Sequence, residues 1–293
     1  MKILKWIMGI AAVTMLVALG SPKAEAKKAL VLYYSQTSNT KAVAQEIAKR
    51  LKADIEEIVL VTPYDGDYKA TIERSRKERE QGITPAIQPI KANIKKYDVI
   101  FLGYPIWYGT YAPPIATLLD KVDLSGKTIV PFCTFGSGGL ESSAAYLAQA
   151  QPKAKILDGF GVRAARMDAM PKEVDQFLKA SGFLKGEYVK LDPFPVQHVV
   201  SDEEAAIFDA AVGDYPMISA KAMTVASRTI PNGMEYLFTV ALRCGATRSL
   251  WAASTVDKPR KNDSNLQMRP PVEMKVYVTV LDGKAPVFTK VVR

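Results

Sequence analysis

The chain is poor in the residues that carry most metal and nucleophile chemistry. It has one histidine, His198, and two cysteines, Cys133 and Cys244, in 293 residues. A lone histidine excludes the paired Cys/His spacings of zinc sites, and no nucleophile stands beside it to build a triad. His198 lies in a Pro-rich stretch and reads as a linker histidine. Two distant cysteines do not form the disulfide framework of a small secreted domain. They read as buried free thiols, with an interdomain bridge as the alternative. A membrane-spanning run is missing as well: the apolar stretch Trp6 to Gly20 falls short of the ~20 residues that cross a bilayer. The basic clusters at Arg74 to Arg79 and Lys258 to Lys261 have no aromatic-basic motif beside them. They read as solvated faces, which argues against a nucleic-acid partner.

What the N-terminus does contain is Lys2 and Lys5, then that apolar run, then Ala24-Glu25-Ala26 as a small-x-small site. This is the layout of a secretory signal peptide, residues 1–26, cleaved after Ala26. The alternative is an uncleaved anchor. No twin arginine precedes the run and no Cys follows it, so export in an unfolded state to the periplasm or beyond the cell is expected. Any cofactor would then be acquired outside the cytoplasm. Residues 1–26 hold three Lys and one Glu, so their removal takes the net charge from +9 to +7 and leaves 267 residues. That length suits two domains with real cores and no stable membrane span.

From Lys27 strands and helices alternate. Strands are expected at Ala29 to Tyr34, Asp54 to Val61, Asp98 to Gly103, Thr128 to Cys133 and Lys155 to Val162. Helices are expected at Lys41 to Leu51, Tyr68 to Gln81, around Ile115 to Leu119, Ser142 to Ala150 and Lys172 to Ser181. Such alternation predicts an α/β fold with a parallel sheet covered on both faces, and ligands beyond the carboxyl ends of its strands. Those ends carry unusual residues. After the first strand comes Ser35-Gln36-Thr37-Ser38-Asn39-Thr40, leading into a helix N-terminus, where free N–H groups and the helix dipole favour a phosphate. Helix capping alone would also explain these residue types. After the third comes Pro105-Ile106-Trp107-Tyr108-Gly109, which reads as exposed aromatics on a Pro-stiffened loop, suited to stacking on a flat ring. After the fourth comes Thr134-Phe135-Gly136-Ser137-Gly138-Gly139, where missing side chains let backbone approach a ligand.

With these three motifs in order, the segment 27–183 resembles the flavodoxin-like family. The resemblance implies a doubly wound five-stranded parallel sheet of order 2-1-3-4-5, binding FMN without a covalent bond. It implies that Ser35, Gln36, Thr37, Ser38, Asn39 and Thr40 hold the phosphate. Pro105, Ile106, Trp107, Tyr108 and Gly109 would line the isoalloxazine ring, and Thr134, Phe135, Gly136, Ser137, Gly138 and Gly139 its pyrimidine end. Three departures stand out: Ser38 where flavodoxins often have Gly, Pro131 inside a central strand, and a basic rather than acidic chain.

After a linker, 184–200, the pattern changes. Ser201-Asp-Glu-Glu204 is a capping box opening a helix to about Val212. Strands follow near Met217 to Ala226, Glu235 to Arg243, Trp251, Val272 to Leu281 and Pro286 to Val292, with turns at Pro231-Asn-Gly233 and Asp282-Gly283. This smaller α+β domain, 201–293, resembles the cystatin-like fold in layout. The inhibitory Gln-Val-Val-x-Gly loop is absent, so partner binding or coverage of the first domain is expected instead. The functional expectation is an exported FMN-binding flavoprotein that transfers electrons to a partner protein or small acceptor. The alternatives are an FMN-dependent NAD(P)H:quinone-type oxidoreductase and a flavin-less scaffold or partner-binding protein.

Overall fold

A computed structural model describes residues 28–64, 66–213, 220–242 and 273–292. The expected signal peptide, Cys244 and the Trp251 strand lie outside the described residues.

The first domain is a parallel sheet of β1 (Ala29–Tyr33), β2 (Asp54–Glu57), β3 (Val99–Trp107), β5 (Thr128–Phe135) and a two-part last strand, β6 (Lys155–Ile156) with β7 (Phe160–Arg163). A short antiparallel arm, β4 (Thr110–Tyr111), folds back on β3. The order is β2-β1-β3-β5-β6/β7, which is the expected 2-1-3-4-5 once the arm is set aside. Helices α1 (Asn39–Leu51), α2 (Tyr68–Gln81), α3 (Pro113–Lys121), α4 (Leu140–Ala150) and α5 (Met170–Ala180) connect the strands.

Alternation along β1 supplies both cores. Leu30 and Leu32 join Ile115, Leu118 and Leu147 on one face, while Val31 and Tyr33 join Val43, Ile47 and Val174 on the other. Burial on both sides is why a parallel strand reads as an unbroken apolar run. Each such aliphatic side chain contributes about 1.5–3 kcal/mol when fully buried.

Four expected strand boundaries require correction. The second strand stops at Glu57 rather than Val61; Leu60 instead makes an antiparallel bridge to Ile87. The third continues past Gly103 to Trp107, pairing with β5 as far as Pro105 and with β4 at Ile106 and Trp107. The fourth runs to Phe135 rather than Cys133, so Thr134 and Phe135 belong to β5 and pair with β7 instead of lying in the loop after it. The last strand is interrupted at Leu157–Gly159, and Pro131 explains the gap. Ile129 accepts from Leu157 N–H, so Pro131, two residues on, presents its backbone to the same side but has no N–H to donate. There Gly159 packs so closely that a Cβ would meet Pro131 O at 2.4 Å.

The second domain has α6 (Asp202–Val212) and an antiparallel sheet of β8 (His198–Val199), β9 (Ala220–Ile230), β10 (Gly233–Leu242), β11 (Glu273–Leu281) and β12 (Val287–Val292), ordered β12-β11-β10-β9-β8. Ser201 and Glu204 form the expected capping box. Phe208 on α6 packs against Phe238 on β10, ring centroids 5.1 Å apart, inside a core with Val225, Val240, Val276 and Val278. His198 begins the sheet rather than lying free: it pairs with Val225 and bonds Glu204 through Nε2 at 2.9 Å. Just before it, Gln197 accepts from Thr224 and Thr239 and donates to Leu237 O. The Pro-rich segment is thereby held against β9 and β10.

Candidate functional site

The carboxyl ends of β1, β3 and β5 come together at one end of the first sheet. β1 runs into Tyr34 to Ser38, whose last residue is the N-cap of α1 and has φ 65°, in the left-handed region. That conformation is the one for which Gly is usually chosen, and here a serine adopts it. Ser38 makes no side-chain cap bond, and the first turn of α1 holds no acidic residue. Ser35 Oγ accepts from Lys41 N–H at 3.2 Å. The helix end therefore keeps its positive character toward Thr37 and Ser38, both exposed, with Ser35, Gln36 and Asn39 half-buried beside them.

Thr40 is buried and turns inward, its Oγ1 lying 2.8 Å from Thr134 Oγ1 at the end of β5. This bond ties the hydroxyl-rich turn to the glycine-rich loop. A second contact joins that loop to the hairpin: a Cβ on Gly139 would come within 2.7 Å of Ile106. A third closes the hairpin tip, where Ser142 Oγ on α4 donates to Gly109 O at 2.7 Å. All three predicted segments thus meet. Phe135 is the member whose side chain points elsewhere, into the core cluster, leaving only its backbone near the loop.

The aromatics sit on the β3–β4 hairpin rather than on an irregular loop. Tyr108 and Gly109 form its turn with φ 51° and 80°, a pairing typical of tight hairpins. Trp107 is half-buried, not exposed, and meets Tyr34 and Tyr64 edge-on at 6.2 and 5.1 Å. Tyr108 is held by Ser75 Oγ at 3.0 Å and donates to Ile72 O at 3.1 Å. Apart from that to Tyr34, these contacts come from α2 and the segment before it, which no motif marked. Two of the basic residues expected on a solvated face also reach here: Arg74 lies over the Tyr64 ring at 4.3 Å and Arg79 over Tyr108 at 5.2 Å. Arg76 and Lys77 do stay outside, paired with Glu80 and Glu73. A cation over an aromatic face contributes about 0.5–1 kcal/mol where solvent reaches it.

Burial pushes the phenols of Tyr34 and Tyr64 well above their ordinary range, and for Tyr64 the bond to Glu78 adds to this. Burial does the same to Tyr104 and to the thiol of Cys133, a free cysteine inside β5. These groups keep their protons at neutral pH. The site therefore offers hydroxyls, backbone amides, aromatic faces and a helix N-terminus, a set that fits a phosphorylated planar ring.

A doubly wound sheet with this cluster at its carboxyl edge defines a flavodoxin-type α/β protein. Residues 28–176 match the Flavodoxin family, and the chain belongs to it. Among solved structures, a candidate flavoprotein from Bacteroides eggerthii DSM 20697 is 31% identical, covers 53% of this chain and 97% of its own, and has a TM-score of 0.47. A flavoprotein in complex with FMN from Lactobacillus acidophilus NCFM is 26% identical over 46% of this chain and 93% of its own, with a TM-score of 0.43. A candidate flavoprotein from Bacteroides uniformis ATCC 8492 is 26% identical over 52% and 99%, with a TM-score of 0.46. No curated protein matches the chain.

Proposed function

We propose that this protein binds FMN without a covalent bond and carries electrons outside the cytoplasm, after removal of residues 1–26. The observation that carries the reading is the junction of the three loops: Thr40 to Thr134, Ile106 to Gly139 and Ser142 to Gly109 join a helix N-terminus, an aromatic hairpin and a glycine-rich backbone. The export step is supported by the charged, apolar and small-residue order of the first 26 residues. In this reading the amides at the start of α1, with the Ser35, Thr37 and Ser38 hydroxyls, bind the phosphate, and Trp107 and Tyr108 orient the ring. The backbone of Gly136 to Gly139 borders its pyrimidine end. The flavin supplies the electron chemistry; the chain supplies binding and orientation. A phosphate taking four charge-assisted bonds of about 1.5–3 kcal/mol each, plus ring stacking, can exceed the association cost. The electron acceptor would be a protein or a small molecule. The C-terminal domain serves as a partner-binding or covering module of cystatin-like layout.

The test is a titration of residues 27–293 with FMN, following quenching of flavin fluorescence, beside Trp107→Ala. Quenching that the variant weakens roughly tenfold is expected, from a lost aromatic contact of about 0.5–1.5 kcal/mol beyond its buried area. Absence of quenching in the unaltered protein would overturn the reading.

A further inference from the structure

The glycine-rich loop is gripped from outside by the second domain. Val291 on β12 donates its N–H to Ser137 O at 2.8 Å, and Gly138 makes a parallel bridge to Val291. The fit is close enough that a Cβ on Gly138 would lie 2.2 Å from Val291 O. Beside this contact stands Arg163, the last residue of β7, in register with Phe135 of β5. Its Nε donates to Gly136 O at 2.8 Å, and its Nη1 donates to Phe288 O at 2.6 Å. The guanidinium lies 4.2 Å from the centre of the Phe288 ring, and Phe288 is itself buried in the second core. At the rim Lys290 pairs with Glu141 on α4 at 3.1 Å.

One planar cation thus holds a carbonyl of the loop with one edge and a carbonyl of β12 with another. Such a fork fixes direction as well as distance, which a lysine cannot reproduce. The loop it holds is short and glycine-rich, and would otherwise sample many backbone states. Its two holding points, Gly136 O and Ser137 O, lie just before Gly138, which meets Val291, and Gly139, which packs on Ile106 of the aromatic hairpin.

We propose that Arg163 is a positioning residue for the flavin site: together with β12 it holds residues 136–139 in the conformation that receives the pyrimidine end of the ring. Docking of the second domain and occupancy of the site are therefore coupled. This rests on the FMN reading above. Coupling is reciprocal, so a loop ordered by FMN also holds β12 more firmly. The second domain is then part of the binding site's support rather than a separate module on a tether.

The experiment compares the intact chain with Arg163→Gln, Arg163→Lys and Val291→Pro. The last removes the Val291 N–H, which points away from β11 and toward Ser137, together with the valine side chain that packs against the second core; it leaves every first-domain residue unchanged and keeps the Arg163 charge. FMN affinity, the reduction potential of the bound flavin and hydrogen exchange of the Val291 amide are measured, each variant being checked for its native circular dichroism. Arg163→Gln is expected to raise the Kd about tenfold, a coupling of about 1.4 kcal/mol, and to shift the potential, with Arg163→Lys recovering part of the loss. Val291→Pro is expected to weaken binding in the same direction, and FMN is expected to slow exchange at Val291 in the unaltered chain. If the unaltered chain binds FMN while Arg163→Gln and Val291→Pro match it within about twofold, the proposal is wrong and the functional reading stands. If Arg163→Gln does not fold, Val291→Pro decides alone. If the unaltered chain takes up no FMN, the functional reading fails, and this one with it.

Discussion

Ser38→Gly should make the protein more stable and a poorer ligand for FMN. Ser38 holds φ 65° at the N-cap of α1 without a side-chain cap bond. For a residue with a Cβ the left-handed region costs about 1–2 kcal/mol. Glycine removes that cost but adds unfolded-state freedom, which takes back about 0.4–1 kcal/mol. No capping bond is lost, so the net gain is about 0.5–1 kcal/mol, or roughly 1–4 °C in Tm for a domain of this size. If the hydroxyl donates to the phosphate, its removal forfeits a charge-assisted bond of about 1.5–3 kcal/mol and weakens FMN at least tenfold. Calorimetry without flavin reads the first effect and fluorescence titration the second. Ser38→Ala separates them, since it keeps the backbone cost and loses the hydroxyl: weaker binding without the gain in Tm is expected. A Tm that falls in Ser38→Gly would refute the strain argument. Unchanged affinity in both variants would remove Ser38 from the phosphate set. Backbone cost carried at a ligand turn is a familiar exchange of stability for function.

The buried bond between Thr40 and Thr134 predicts non-additivity. Thr40→Val strands the other hydroxyl at a cost of about 1–3 kcal/mol, and Thr40→Val with Thr134→Val should recover part of it. Urea unfolding of the four proteins measures the coupling, and strictly additive losses would show that the pair contributes nothing. Acid should loosen α6. The Glu204 carboxyl, although burial raises it, is held below the usual range by the Ser201 N–H and hydroxyl and by His198. A lowered carboxyl contributes fully above its unfolded value and loses that contribution as pH falls through the folded one. Helical ellipticity, with the Ser201 amide shift, should therefore drop below pH ~4. A flat response in the Glu204 protein down to pH ~3 would contradict the capping role.

The alternation of strands and helices was legible because each element repeats its own short period. Tyr68 to Gln81 shows a helix's charge spacing, and Val99 to Leu102 an uninterrupted buried run. The capping box at Ser201 and the hairpin turns at Asn232 and Gly283 were equally local, and they lie where expected. The loops of the site were legible for a different reason: hydroxylated residues after β1, a Pro-aromatic-Gly run at the end of β3 and glycines after β5 are an unusual composition for strand ends. Strand ends were less so. Pro131 was visible as awkward, yet its consequence fell on a different strand, at Gly159, because a missing donor is felt by the neighbour that would have accepted it.

What the sequence by itself determined was the order of elements, the family and the chemistry available at three loops, since all of these are written in patterns a few residues long. Tertiary structure alone decided that Ser38 accepts a left-handed backbone, that Arg74 and Arg79 leave the solvated face for Tyr64 and Tyr108, and that Ser142 holds Gly109. It alone placed Arg163 between Gly136 and Phe288, residues 27 and 125 positions away along the chain. Such contacts carry no local signature, because the guanidinium and its two acceptors lie far apart in the chain and are brought together only by the packing of the folded protein.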